Sequence, residues 1–152
     1  MLLTELVVPQ AIVPALRVNS KKQALQDLAA RAAAMTGRPE REVLEVLTQR
    51  ERLGSTGIGG GIAIPHGKLA TLDRLFGLFA RLERPIDFEA LDAQPVDLVF
   101  VLLAPEAAGA DHLKALAQVA RLLRDPKIAK KLRESRDAEA LYAVLTAPPG
   151  DK

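Results

Sequence analysis

Between Asn19 and Gly37 the segment "NSKKQALQDLAARAAAMTG" places Leu25, Leu28, Ala29 and Ala32 at the three- and four-residue spacing of one helix face, with polar residues between them. Ser20 and Gln23 stand at capping-box spacing and Gly37 supplies a stop, so the pattern predicts an amphipathic helix. In "EREVLEVLTQRERL" a second helix is predicted, with Pro39 at its first position and Val43, Leu44 and Leu47 repeating on one side. Arg50 lies three residues after Leu47 and seven after Val43, so it extends this inward stripe where an aliphatic residue is expected.

The period then changes. "GIAIP" is a short strand candidate, "FGLFARLE" alternates Phe76, Leu78, Ala80 and Leu82, and "VDLVFVLLA" is an almost unbroken apolar run that reads as a central strand covered on both faces. "DHLKALAQVARLLRD" returns to helical spacing, with Leu113, Leu116, Val119, Ala120 and Leu123 as its apolar positions, and shorter helices are predicted over 127–134 and 138–146. Helices in front, strands in the middle and helices behind predict one α/β domain over 1–152, a mixed β-sheet flanked by helices, with a flexible tail at 147–152.

A chain of 152 residues that is 49% hydrophobic can bury one core and demands no second domain. Its 21 basic and 19 acidic residues are interleaved and its aromatics amount to 3%, whereas a nucleic-acid interface clusters its charge and offers stacking platforms. No nucleic-acid partner is expected. The absence of cysteine excludes disulfides, thiolate metal sites and thiol nucleophiles. No apolar window approaches the roughly 18 residues of a membrane span, and "MLLTELVVPQ" lacks the basic region and cleavage site of a signal peptide. The expected location is the cytoplasm, without membrane insertion.

The candidate chemistry is concentrated in "RERLGSTGIGGGIAIPHGK", residues 50–68. It is not a P-loop, because five residues separate Gly61 from Gly67 and Leu69 stands where a Ser or Thr is needed. It is not a dinucleotide fingerprint, because Gly57 and Gly59 are followed by Ile62 in place of a third small residue. The two histidines form no helical metal pair and no G-x-S-x-G elbow is present, so no metal, cofactor or serine triad is expected. What remains is a glycine-rich turn, an extended "IAI", a stiffening Pro65, and His66 presented at a strand end beside Gly67, which has no side chain to obstruct a visiting partner. An imidazole with the ordinary pKa of about 6.5 is mostly uncharged at neutral pH and can act as a nucleophile.

The same residues also fit an ordinary tight loop carrying a surface histidine. Two positions weigh against that reading. A guanidinium on an inward helix face needs an acceptor, either a carboxylate or a phosphoryl group that suits its fork. His112 falls, with Asp111, in the first turn of the helix beyond the central strand, where free N–H groups favour anions. If the strands preceding His66 and His112 run parallel, both histidines reach the same end of the sheet and face each other.

Together with "PIDFEALDAQPVDLVFVLLAP" and "HLKALAQVARLL", this stretch resembles the enzyme IIA domain of the fructose and mannitol class of the bacterial phosphotransferase system, most of all its stand-alone nitrogen-regulatory branch. The resemblance runs from "LVVPQAIVPALRVNSKKQALQDLA" to "LYAVL". It implies that His66 accepts and donates a phosphoryl group through Nε2, and that Arg50 and His112 hold phosphoryl oxygens and position the ring. Ser55, Thr56 and Gly67 are the further candidates for phosphate contact. It also implies a histidine-containing phosphocarrier protein as donor, docking on an apolar rim, and regulatory targets such as potassium transporters and sensor kinases. Two alternatives stay open: a sugar-specific IIA that passes phosphate to a IIB domain for fructose or mannitol uptake, and a module of this fold that works by surface contacts without phosphotransfer.

Overall fold

The computed structural model describes residues 3–147. A turn of helix, α1 (Leu3–Leu6), and a 3-10 turn at Pro9–Ala11 lead into β1 (Ile12–Leu16), so a strand precedes the helices that were expected to come first. β1 lies at one edge of the sheet, where Pro14 can be accommodated because an edge strand leaves one row of N–H groups unpaired. In α2 (Lys21–Thr36) the Ser20 hydroxyl accepts from the Gln23 N–H at 3.1 Å, and the Gln23 side chain accepts from the Asn19 N–H at 2.8 Å. Gly37, at φ 73°, ends the helix in the left-handed conformation that glycine adopts without strain. α3 (Glu40–Arg52) starts one residue later than expected, with Pro39 as its N-cap, and buries Val43 and Leu47.

The strands that follow are β2 (Gly57–Gly59), β3 (Ile62–Ala63), β4 (His66–Leu69), β5 (Phe76–Ile86) and β6 (Val96–Pro105). They form a mixed sheet in the order β1-β5-β6-β3-β2, with β4 also paired to β6. β3 and β4 run parallel to β6, β1 runs parallel to β5, and the β5/β6 and β2/β3 pairs are antiparallel. Ile62 stands opposite Leu98, Ala63 opposite Val99 and His66 opposite Leu102, so β3 and β4 keep one register against β6. They are a single strand line interrupted at Ile64–Pro65, where proline has no N–H to donate; the Pro65 carbonyl still accepts from the Leu102 N–H at 2.9 Å. His66 therefore opens the second half of a continuing line and does not close a strand, as the sequence reading had it.

β6 is buried continuously from Leu98 to Ala104, as its apolar run predicts. β5 differs from its predicted alternation: residues 77–82 are all buried, so both faces are covered, and Arg81 lies inside with 8% exposure. Its charge is held by carbonyls: Nε donates to Arg133 at 3.1 Å and Nη1 to Pro14 at 3.1 Å.

A 3-10 turn at Glu106–Ala108 leads to α4 (Ala110–Arg124), followed by α5 (Pro126–Glu134) and α6 (Ala138–Thr146). α4 is rotated relative to the sequence expectation. Its buried positions are His112, Ala115, Val119, Leu122 and Leu123, while Leu113, read as inward, is 66% exposed. The core contains the fully buried Phe79, Phe88 and Phe100, each contributing about 1.5–3 kcal/mol by leaving water. Beyond Ala147 the expected flexible tail lies outside the described residues. Among those residues no helix is long and apolar enough to cross a membrane.

Candidate functional site

The site begins with a close approach. A Cβ at Gly67 would collide with Cγ1 of Val46, so the glycine lets α3 close onto β4. The space that the sequence reading kept free for a visitor is thus filled by Val46 from within. One turn after Val46, Arg50 reaches the edge of the His66 ring: Nε donates to His66 Nε2 at 3.3 Å and Nη1 to the Gly54 carbonyl at 2.9 Å. Nη2 makes no hydrogen bond among the described residues. The other ring nitrogen, Nδ1, sits 2.8 Å from the Ile64 carbonyl. A carbonyl oxygen only accepts, so Nδ1 carries the proton and Nε2 presents the lone pair.

The parallel pairing of β4 with β6 brings His112 to the same place. β6 ends at Pro105, and the first turn of α4 projects His112 inward, with its ring centroid 5.7 Å from that of His66 and the planes tilted by 47°. His112 Nδ1 is buried without a hydrogen-bond partner among the described residues. Leaving such a group unsatisfied costs about 1–3 kcal/mol, a cost that packing alone gives no reason to bear.

Burial pushes the His66 pKa below its ordinary value, opposed by the hydrogen bond to Ile64; the Arg50 charge lowers it further and Glu51 raises it. His112 is lowered by burial and then by the charges of His66 and Lys68. Both rings are neutral at neutral pH, beside a guanidinium that no carboxylate pairs among the described residues. The arrangement holds a nucleophilic nitrogen next to uncompensated positive charge. No group of three His, Asp or Glu side chains among the described residues is arranged to hold a metal ion.

The two hydroxyls suggested as phosphate contacts are turned elsewhere. Ser55 Oγ donates to the Phe88 carbonyl at 2.9 Å and accepts from the Gly57 N–H at 3.0 Å. Thr56 is buried, and both its hydroxyl and its N–H donate to the carboxylate of Glu51. Glu51, whose side chain is 6% exposed, also pairs with Lys21 Nζ at 2.7 Å. Sequence reasoning passed over Glu51 and Lys21; the only local signal was an acid lodged between two arginines in "RER".

A family model described as the phosphoenolpyruvate-dependent sugar phosphotransferase system, EIIA 2, matches residues 5–147. The chain is 71% identical over 147 residues to a nitrogen regulatory protein of Bradyrhizobium diazoefficiens, covering 97% of this chain and 96% of that protein. Among solved structures it matches the nitrogen regulatory protein IIA-Ntr of Neisseria meningitidis with a TM-score of 0.90 and 36% identity, over 95% of this chain and 99% of that one. IIA mannitol of Escherichia coli matches with a TM-score of 0.76 at 18% identity, over 91% and 97% of the two chains, a likeness of fold alone.

Proposed function

The chain belongs to the EIIA 2 family of the phosphoenolpyruvate-dependent sugar phosphotransferase system, and from that premise we propose that His66 is the residue that accepts and returns the phosphoryl group. The observation that carries this reading is the tautomer of His66: Nδ1–H is spent on the Ile64 carbonyl, which leaves the Nε2 lone pair, facing Arg50 Nε, as the nucleophile. Attack of the Nε2 lone pair on phosphorus forms one P–N bond as the bond to the donor's ring nitrogen breaks, and the donor recovers its electron pair. Phosphorylated His66 then keeps its Nδ1 proton, and the positive charge gained by the ring strengthens the bond to Ile64.

Phosphoryl transfer through a loose transition state asks chiefly for positioning and charge stabilisation. In the free protein Arg50 Nε occupies the direction of the attacking lone pair. When a phosphoryl group arrives, the guanidinium moves its donation from Nε2 to the phosphoryl oxygens, with Nη2 already unengaged. His112, whose Nδ1 has no hydrogen-bond partner among the described residues and whose ring packs against that of His66, steadies the His66 ring and takes up part of the incoming charge. The donor on this reading is a histidine-containing phosphocarrier protein. The exposed Leu53, directly after α3, and Leu113, directly after His112, offer it an apolar rim.

The output is regulation. The 71% identical relative bears the name of a nitrogen regulatory protein, and on this reading the cytosolic carrier binds targets such as potassium transporters and sensor kinases according to its phosphorylation state. Intact mass after incubation with phosphoenolpyruvate, enzyme I and the phosphocarrier tests the chemistry. One acid-labile phosphate is expected on the wild type and none on His66→Ala; continued labelling of that variant would sink the assignment. Adding a fructose- or mannitol-specific IIB domain is expected to leave the label on His66, and its loss to IIB would favour the sugar-uptake reading.

A further inference from the structure

We propose that Glu51 is a positioning residue for phosphoryl transfer, holding Thr56 so that the turn after α3 aims Arg50 at His66. The inference rests on the reading of His66 as the acceptor. After Arg52 the chain turns through Leu53, Gly54 and Ser55 into β2, with the Gly54 N–H donating to the Glu51 carbonyl at 3.1 Å. The carbonyl of the same Gly54 is the second acceptor for Arg50, at 2.9 Å from Nη1. The guanidinium therefore keeps its aim at His66 Nε2 only while Gly54 keeps its orientation.

Gly54 has φ 148°, a conformation that a glycine enters and leaves at little cost, so its one N–H bond to the Glu51 carbonyl leaves the turn soft. The Ser55 hydroxyl bonds anchor only the residue after it, so a contact that spans the turn is needed to fix it. Glu51 supplies that contact. Its two oxygens lie 3.1 and 3.2 Å from the Thr56 N–H, and one of them also accepts from the Thr56 hydroxyl. This closes residues 51–56 into a ring with Gly54 inside it.

A carboxylate with 6% exposure is costly to bury unless its charge is met. Lys21 meets it from the start of α2 at 2.7 Å, and the same ammonium lies 5.0 Å from the centre of the Phe88 ring. One carboxylate thus ties the start of α2, the end of α3 and the approach to β2. A buried carboxylate needs hydrogen bonds to its oxygens as well as an ion pair, and here Thr56 supplies them from the far side of the turn. Because the partner is five residues ahead, the same contacts that satisfy the acid close the turn that Arg50 leans on.

The test compares transfer rates from the phosphorylated phosphocarrier for the wild type, Glu51→Gln, Thr56→Val and Thr56→Ser, with Leu141→Ala as a destabilised control in the remote helix α6. The 15N signals of Arg50 Nε and the His66 ring are recorded in parallel. Glu51→Gln and Thr56→Val are expected to slow transfer about tenfold or more, since a displacement of about 1 Å at a transfer site costs up to about 10²-fold. The Arg50 Nε–H should lose its protection from exchange in both variants. Thr56→Ser, which keeps the N–H and the hydroxyl, should restore the wild-type rate and signal, and Leu141→Ala should keep both at a temperature where it is folded. Wild-type rates in Glu51→Gln and Thr56→Val, or slowing with an unchanged Arg50 signal, would overturn the proposal. If the wild type takes no phosphate on His66, the carrier reading fails by itself; an Arg50 signal released by Glu51→Gln still supports positioning, and one that does not move still refutes it.

Discussion

Arg50 and Arg133 each stand in the last turn of a helix, α3 and α5, and each is half-buried. Arg133 Nε reaches both oxygens of Asp97, at 3.1 and 2.9 Å, and Nη2 bonds Asp97 at 2.9 Å and the Gly60 carbonyl at 2.7 Å. Its charge is neutralised, and what it does is tie the glycine turn between β2 and β3 to β6 and α5. Among the described residues Arg50 has only neutral acceptors, a ring nitrogen and a carbonyl. Arg81 shows that neutral acceptors alone do not mark a site, because it too is held by two carbonyls, yet it is buried in the core at 8% exposure and both its bonds go to backbone carbonyls. The distinguishing feature of Arg50 is the combination of unspent charge with a lone pair that can react.

The sharpest way to break this contrast is to remove each arginine in turn. Arg50→Ala is expected to lower the rate of phosphoryl transfer by about 10²–10³-fold, the usual cost of losing one transition-state donor, while changing stability little. Arg133→Ala is expected to leave the rate nearly unchanged and to cost about 1–2 kcal/mol of stability, because its pair with Asp97 is only partly shielded from water. Urea denaturation and single-turnover transfer read the two effects separately, and a rate loss in Arg133→Ala would erase the distinction.

A smaller effect is expected from Gly67→Ala. The added methyl meets Val46, so α3 must back away from β4; overpacking of this kind costs about 1–3 kcal/mol. Because Arg50 rides on α3, transfer should slow as well, and a variant that loses stability at an undiminished rate would show that Arg50 does not depend on this approach.

The smallest effect is on titration. The folded pKa values of His66 and His112 lie below the ordinary 6.5, so the unfolded chain takes up these protons first as the pH falls. The stability they contribute is complete above pH 6.5 and declines as the pH drops through the folded values. Denaturation midpoints between about pH 7.5 and about 5.5 should follow that course. The transfer rate should hold as the pH passes down through 6.5 and fall only below it, since His66 stays neutral there. Removing the Arg50 charge should raise the His66 pKa, whereas removing Arg133 should not move it, and NMR titration of the ring separates the two.

Legible from residue order alone were the helices α2 to α6, the central strand, and the residue types that could carry phosphate, but not α1 or β1. Apolar spacing reports how one element meets the core, and "VDLVFVLLA", apolar almost throughout and of strand length, reads as a doubly covered strand. The Pro-His-Gly motif, the charged interruption at Arg50 and the histidine at the head of α4 were legible for the same reason, since each departs from a local pattern. Contacts between elements were decided by the tertiary structure. The spacing of "DHLKALAQVARLLRD" placed Leu113 inside, but the crossing of α4 on the sheet turns His112 inward and leaves Leu113 in solvent. Gly67 reads as an opening for a visitor, but α3 fills that space; Ser55 and Thr56 read as candidate phosphate contacts, and here their hydroxyls donate to Phe88 and Glu51. Sixteen positions separate Arg50 from His66 and forty-six separate His66 from His112. Only the parallel register of β4 on β6 and the close seat of α3 convert those intervals into a hydrogen bond and a ring contact, because pairing and packing act across space that no local period measures.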